Sequence, residues 1–184
     1  TAPAAAALLL VGLALGWRTA LRNRDYQDPV VIWQRNSQDQ PTNPRALANW
    51  CQALDDAGQD EEALSVCTRA TTLAPQYATA WCNQAHVLVD LKRVAEAELA
   101  ARRAVELDED LAPAHVTLGY ALSLRGDLAG AVRHARAALD REPDNLQALN
   151  NLGNALVRTG DLPAAHAAFN RALDVDPEHA ETHN

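Results

Sequence analysis

The chain has 184 residues, of which 48% are hydrophobic and only 4% are aromatic, and its formal net charge at pH 7 is −8. A chain this apolar is unlike a disordered tail, and with Lys92 as its one lysine it lacks the clustered positive charge that a nucleic-acid-binding face needs. Alanine and leucine supply most of the apolar residues, which favours thin, closely packed helices over a sheet. The sequence therefore predicts an all-α protein.

The first element is an apolar segment at residues 1–17. It carries no charged side chain, whereas Arg18, Arg22 and Arg24 follow it closely. Since a membrane-spanning helix needs about 20 apolar residues, we expect this segment to be the end of a span that begins upstream of Thr1, so that the chain is anchored to a membrane. A terminal helix buried against the rest of the chain, or against further copies of it, is the alternative. The side of the membrane on which the rest of the chain lies stays open.

Residues 18–43 are predicted to form a helical linker that ends in one half of a degenerate repeat. Trp33 lies 34 residues before Cys67 and so occupies the matching place in the repeat that follows. The stretch from Asp28 to Gln40 is therefore expected to be an unpaired second helix. A unit that matches only in part is what a terminal cap of a repeat stack should look like, because its outer face meets something other than a repeat.

The remainder of the chain repeats itself every 34 residues. Four sets of residues recur at that spacing: Ala63, Ala97, Ala131 and Ala165; Ala70, Ala104, Ala138 and Ala172; Leu54, Leu88, Leu122 and Leu156; and Pro75, Glu109, Pro143 and Pro177. Each period contains two runs of apolar residues at helical spacing with a break between them, so each unit is predicted to be two helices and a turn. The units are residues 44–77, 78–111, 112–145 and 146–179, with 180–184 the start of a truncated further helix.

Particular residue types have physical reasons at fixed places in the unit. Gly or Ala at the eighth position, such as Gly153, removes side-chain bulk so that the two helices approach closely. Gly58, Gly126 and Gly160 suit the left-handed turn after the first helix, and Asp161 is placed to cap the first amides of the second helix. These features predict helical hairpins.

The pattern resembles the tetratricopeptide repeat family, with a large apolar residue at position four, Gly or Ala at eight, Ala at twenty, an aromatic at twenty-four and Pro at thirty-two. The third and fourth units match it almost fully, whereas the first has Cys51 at position eight and the second has Glu109 in place of the proline. The resemblance implies a right-handed superhelical solenoid of helix-turn-helix hairpins. It also implies a non-catalytic scaffold for protein–protein interaction.

A second resemblance concerns the join between the apolar segment and the repeats. The chain has an apolar span, then the short linker from Arg22 to Asp25, then repeats. This order is similar to the C-terminal part of multi-spanning glycosyltransferase-like membrane proteins, whose repeats lie outside the cytoplasm. This implies an alternative function as the accessory domain of a membrane enzyme whose catalytic part lies upstream of Thr1, and favours an extracytoplasmic location. A repeat subunit of a homo-oligomer or filament is a third alternative.

In this family the first helix of each unit lines a concave groove, into which positions two, five, nine, twelve and thirteen point. The residues predicted to contact a protein or peptide partner there are Gln52, Asp55, Asp56, His86, Asp90, Tyr120, Asn150, Asn154 and Arg158. Family members that bind a C-terminal carboxylate need Lys at position five, where this chain has Ala48, Cys82, Val116 and Asn150. Such a ligand is therefore disfavoured. Asn49, Asn83 and Asn151, at position six, are either groove contacts or structural residues.

The sequence contains no phosphate-binding loop, no nucleophile elbow and no metalloprotease motif, which argues against an enzyme and against a cofactor. His115 takes the large-residue position of its unit and is interpreted as a packing residue rather than a base. His179 and His183 are four residues apart, but a helix end without a third ligand binds metal poorly. No metal site is predicted.

The three cysteines lack the spacing of a zinc or haem site, and they are either all core residues or one oxidised pair with one left over. Cys67 and Cys82 fall on helices expected to be neighbours in the stack. A disulfide between these two is therefore the pairing considered, with Cys51 assigned to the core.

Overall fold

The computed structural model describes residues 28–177, all of whose regular structure is α-helical. The helices are α1 (Pro29–Asp39), α2 (Pro44–Asp56), α3 (Asp60–Leu73), α4 (Ala78–Asp90), α5 (Val94–Leu107), α6 (Ala112–Arg125), α7 (Leu128–Arg141), α8 (Leu146–Thr159) and α9 (Leu162–Val175). The predicted all-α solenoid is confirmed. The predicted apolar segment at residues 1–17 lies outside the described residues, and among residues 28–177 no helix is long and apolar enough to cross a membrane.

The helices pair into hairpins whose first members, α2, α4, α6 and α8, begin at residues 34 apart, as do their second members. Each helix packs against its neighbours in the chain, and each first helix also packs on the first helix of the next hairpin. Alanine at the twentieth position makes the close approach within a hairpin possible, because Ala63, Ala97, Ala131 and Ala165 are each at most 2% exposed. The two helices of each hairpin thus meet at a buried alanine.

The turns inside the hairpins follow the residue types of the sequence. Gly58, Gly126 and Gly160 have φ angles of 70°, 89° and 87°, the left-handed region that glycine adopts without steric cost, as expected. In the second hairpin the same turn is made by Lys92, with φ of 62°. The carboxylate of Asp161 accepts a hydrogen bond from the Ala164 amide at 3.2 Å, so the predicted helix cap is present.

The helix expected from Asp28 to Gln40 is α1, which packs against α2. It begins at Pro29, whose missing N–H would have no partner in a first turn, and the Asp28 carboxylate accepts a hydrogen bond from the Val30 amide at 2.9 Å. Residues 18–27, the first part of the predicted helical linker, lie outside the described residues.

The predicted disulfide between Cys67 and Cys82 is wrong. Cys67 is joined to Cys51, with their Cα atoms 5.4 Å apart, so the bond links α2 to α3 within the first hairpin. Position twenty-four of a unit faces position eight of its own first helix, and not the next hairpin. Cys82 is a buried free thiol that packs against Ala104 and Ala114. Burial raises the pKa of the Cys82 thiol to about 12, so this thiol is unreactive at neutral pH.

Candidate functional site

The first helices of the hairpins form one continuous surface, which we call the A-helix face (α2, α4, α6 and α8). Hydrogen bonds between side chains and backbone join neighbouring helices of this face. Asn83 donates to the Ala48 carbonyl at 3.0 Å, and Asn151 donates to the Val116 carbonyl at 3.4 Å. Each of these two asparagines bonds a carbonyl 35 residues earlier, in the preceding hairpin, so Asn83 and Asn151 have a structural role.

A depression of about 220 Å³ lies on the A-helix face between α4, α6 and α8. Its lining is His86, Val89, Asp90, Val116, Thr117, Tyr120, Gln147 and Asn151. Three of the predicted partner contacts, His86, Asp90 and Tyr120, are therefore brought together. The valines form an apolar floor, while the amide groups of Gln147 and Asn151 and the phenol of Tyr120 provide polar groups at its sides.

The other predicted contacts lie outside this lining. Gln52 donates a hydrogen bond to Asp56 at 3.0 Å on α2, so these two side chains are already paired. Arg158 donates to the Ser123 carbonyl at 2.6 Å and to its hydroxyl at 2.8 Å, which ties α8 to α6. Asn150 is half-buried and Asn154 is exposed on α8.

An acidic cluster of Asp55, His86 and Asp90 lies at the α2 side of the depression. The His86 Nδ1 atom is 2.7 Å from Asp55 Oδ2 and 3.8 Å from Asp90 Oδ2. The hydrogen bond with Asp55 raises the pKa of His86 against the opposing effect of burial, and the charges of Asp90 and Asp56 raise it further. The side chain of Asp55 is only 4% exposed, and its Oδ1 atom is buried with no hydrogen-bond partner in the described part of the chain.

Sequence reasoning missed the apolar floor of the depression. Val89 and Val116 occupy positions twelve and five, which the repeat geometry already points into the groove, but polar residues were preferred as candidates. Gln147, at position two, was also left out of the predicted contacts. The signal that finds them is the same periodicity applied without regard to polarity. Thr117 and Asn151, at position six, are also part of the lining.

His115 is a packing residue, as interpreted from its position. It is 6% exposed, and its Nε2 atom lies 2.9 Å from the Glu109 carbonyl, to which it must donate. Its Nδ1 atom lies 2.9 Å from His134 Nδ1. A neutral His115 therefore accepts from the Nδ1–H of His134, and this arrangement joins α6 to α7 away from the depression.

Two family models, both described as tetratricopeptide repeat, match residues 78–111 and 116–181, together more than half of the chain. No curated protein matches the chain in sequence. Solved structures match it in fold. TTC0263, a thermophilic TPR protein in Thermus thermophilus, has a TM-score of 0.73 at 22% identity, with 92% of each chain covered.

MamA from Desulfovibrio magneticus RS-1, from residue 41 to its end, has a TM-score of 0.68 at 20% identity, with 88% of this chain and 91% of that one covered. The APC/C hetero-tetramer Cut9-Hcn1 matches with a TM-score of 0.71 at 19% identity, over 83% of this chain but 29% of the other. At these identities the structural likeness concerns the fold alone.

Proposed function

Because this chain belongs to the tetratricopeptide repeat family, we propose that it is a non-catalytic scaffold that binds a segment of a partner protein on its A-helix face. The depression between α4, α6 and α8 carries this proposal, because it joins an apolar floor to side-chain amides. Its volume of about 220 Å³ is below the roughly 300–1,000 Å³ typical of small-molecule sites, and it suits one or two side chains of a polypeptide.

Tyr120 is the expected centre of the contact. Its ring is 40% exposed, although it borders the apolar floor made by Val89 and Val116, which are each 6% exposed. Exposed aromatic side chains beside apolar pockets contribute a disproportionate share of binding energy, because they bury a large area at little entropic cost. An apolar side chain of the partner is expected to lie against Tyr120.

The amide of Gln147 borders the same depression and supplies both donors and an acceptor, whereas Asn151, which already donates to the Val116 carbonyl, supplies its amide oxygen. The backbone of a bound segment carries unpaired N–H and C=O groups, which need such partners once water is displaced. An extended or helical segment could thus place one apolar side chain on the floor of the depression and hydrogen-bond to the side-chain amides beside it.

Peptide display against the purified chain, followed by fluorescence polarisation with the selected peptides, tests this function. Replacing Tyr120 with Ala should weaken binding by about tenfold or more, the loss expected for a central contact. The matched control is Leu99→Ala, because Leu99 is 67% exposed on α5, outside the A-helix face. Peptides that bind both variants as they bind the wild type would contradict the proposal.

The location of the repeats is a further part of the proposal. The Cys51–Cys67 disulfide supports a place outside the cytoplasm, because structural disulfides persist mainly in oxidising compartments. The uncharged run at residues 4–17 supports attachment to a membrane. We therefore propose a membrane-anchored scaffold that presents its A-helix face on the extracytoplasmic side.

Maleimide-polyethylene glycol labelling of the denatured chain, taken directly from its native cells after acid quenching, tests this location. One added label, on Cys82, is expected if Cys51 and Cys67 are oxidised in place. Three labels would show a reducing compartment and contradict the extracytoplasmic proposal. Membrane fractionation of the full chain and of a chain lacking residues 1–17 tests the anchor separately.

A further inference from the structure

We propose that Asp55, His86 and Asp90 form a binding site for a divalent transition metal ion such as Zn²⁺. One ligand atom from each of the three residues lies within 4.8 Å of the other two. Bonds from zinc to nitrogen and oxygen ligands are about 2.0–2.2 Å, so two ligands of one ion lie about 3–4 Å apart. The His86 Nδ1 atom is 3.8 Å from Asp90 Oδ2, within this range, and 2.7 Å from Asp55 Oδ2, so the ion would take the place of the proton that joins these two atoms.

The mixture of ligands selects the class of ion. Imidazole nitrogen suits zinc, copper, iron and nickel, whereas magnesium and calcium prefer sites made of oxygen alone. Two carboxylates and one imidazole supply two negative charges, which matches the charge of a divalent cation. A transition metal is thus favoured over calcium at this site.

The buried oxygen of Asp55 is an independent observation that points to a ligand. Its side chain is 4% exposed and belongs to this cluster, yet Oδ1 has no hydrogen-bond partner in the described part of the chain. A buried polar atom left without a partner costs about 1–3 kcal/mol. A cation bound by the carboxylate offsets this cost by giving Oδ1 the partner that it lacks.

The helices hold the three ligands in place. His86 and Asp90 are one turn apart on α4, so both side chains leave the same face of the helix. Asp55 comes from the last turn of α2, which packs directly on α4. No loop has to move to bring the ligands together.

The site is open on the side of the depression. His86 and Asp90 are 44% and 47% exposed and both line the depression. Three protein ligands leave a further position on a tetrahedral ion, which water or a side chain of a partner would occupy. Metal binding itself does not depend on the partner, so it is tested separately from the proposed function.

Calorimetric titration of the full, chelator-treated chain with Zn²⁺ tests the site. We expect one saturable site in the wild type, weakened by at least about tenfold in His86→Gln and in Asp90→Asn, since even partners of metal ligands cost that much. The matched controls are Asp56→Asn, next to the cluster, and the double variant His179→Gln/His183→Gln. Both controls should bind as the wild type does.

Absence of saturable binding, or wild-type affinity in His86→Gln, would overturn the proposal. Loss of binding in the His179/His183 variant would instead assign the metal to the end of the chain. Circular dichroism of each variant establishes that it is folded. Co²⁺ provides a second readout, because coordination by His86 should give visible absorption bands that His86→Gln abolishes, and an unchanged spectrum would also overturn the site.

Discussion

The first and fourth hairpins join their two helices through different side chains at the same two positions of the unit. In the fourth, Gly153 on α8, at position eight of the unit, makes room for the ring of Phe169 on α9, at position twenty-four of the unit. In the first, the same two positions hold Cys51 and Cys67, which are joined by a disulfide. One hairpin is thus held by an aromatic side chain over a glycine, and the other by a covalent bond.

The hairpins between them show that this pair of positions always meets. The second hairpin has two fully buried alanines there, Ala85 and Ala101. The third has Gly119, where an added Cβ would lie 3.4 Å from the Ala135 backbone nitrogen. The two positions are thus filled by different side chains in each hairpin. The disulfide also fixes α2 one turn before Asp55, the buried member of the acidic cluster.

The largest expected effect comes from removing the covalent bond. Replacing Cys51 and Cys67 with Ala should destabilise the first hairpin by about 3 kcal/mol, because the bond closes a loop whose ends are 16 residues apart. Urea unfolding followed by circular dichroism should show an earlier loss of helix than in the wild type.

Reductant provides the control for that prediction. It should lower the unfolding midpoint of the wild type and of Cys82→Ala by the same amount, and should leave the double variant unchanged. A double variant that unfolds at the wild-type urea concentration would show that the bond contributes nothing to the stability of the first hairpin.

The next effect concerns the fourth hairpin. A Cβ at Gly153 would lie 2.5 Å from Phe169 Cε1, which is far inside van der Waals contact. Overpacking costs about 1–3 kcal/mol, and the helix propensity of Ala returns up to about 1 kcal/mol. Gly153→Ala should therefore destabilise the chain by about 1–2 kcal/mol in the same urea experiment.

A second substitution separates this clash from a general effect on the helix. In a Phe169→Leu background the smaller side chain leaves room, so Gly153→Ala should cost less than it does beside the phenylalanine. Equal costs in both backgrounds would disprove the contact as the cause.

A smaller effect distinguishes the turn of the second hairpin from those of the other three. Lys92 has φ of 62° where the other hairpins have glycine, and a residue with a Cβ pays about 1–2 kcal/mol in this region. Lys92→Gly should stabilise the second hairpin by up to about 1 kcal/mol, partly offset by the freedom that glycine adds to the unfolded chain. Gly126→Ala, with φ of 89°, should destabilise the third hairpin by a similar amount. Thermal melts that shift in the same direction for both would contradict this interpretation of the turns.

Most of the fold was predictable because each unit repeats its own local signals. Glycine turns, the Asp161 cap and alanine at close contacts act within a few residues, so sequence alone locates them. The disulfide was missed because its partners were chosen from the expected proximity of neighbouring hairpins. The contact between Gly153 and Phe169, shifted back by three periods, would have identified Cys51 and Cys67.

The candidate site was predictable in its location but not in its composition. The periodicity placed His86, Asp90 and Tyr120 on one face, and the structure brings them to one depression. The periodicity did not reveal that Asp55 is buried against His86, because the packing of α2 on α4 depends on side chains of both helices. Nor did it separate Gln52 and Asp56, which pair with each other, from side chains free to meet a partner.

The smallest expected effect concerns the third hairpin, whose helices are joined by the stacked rings of His115 and His134. The pKa of His134 is lowered from its ordinary value of 6.5 to about 4, chiefly by burial. The adjacent imidazole of His115 and the cations Arg133 and Arg102 contribute to this lowering, and the Asp127 carboxylate opposes it. Since the unfolded chain takes up this proton first, stability is fully present above about pH 6.5 and falls as the pH drops towards about 4.

His134→Gln should therefore lose less stability than the wild type between about pH 6.5 and about pH 4, as measured by urea midpoints. The effect is small because the half-exposed imidazole is screened by water. His166→Gln, on the exposed side of α9, is the matched control and should keep the wild-type slope. If His134→Gln also keeps that slope, His134 does not cause the loss of stability of the third hairpin between these pH values.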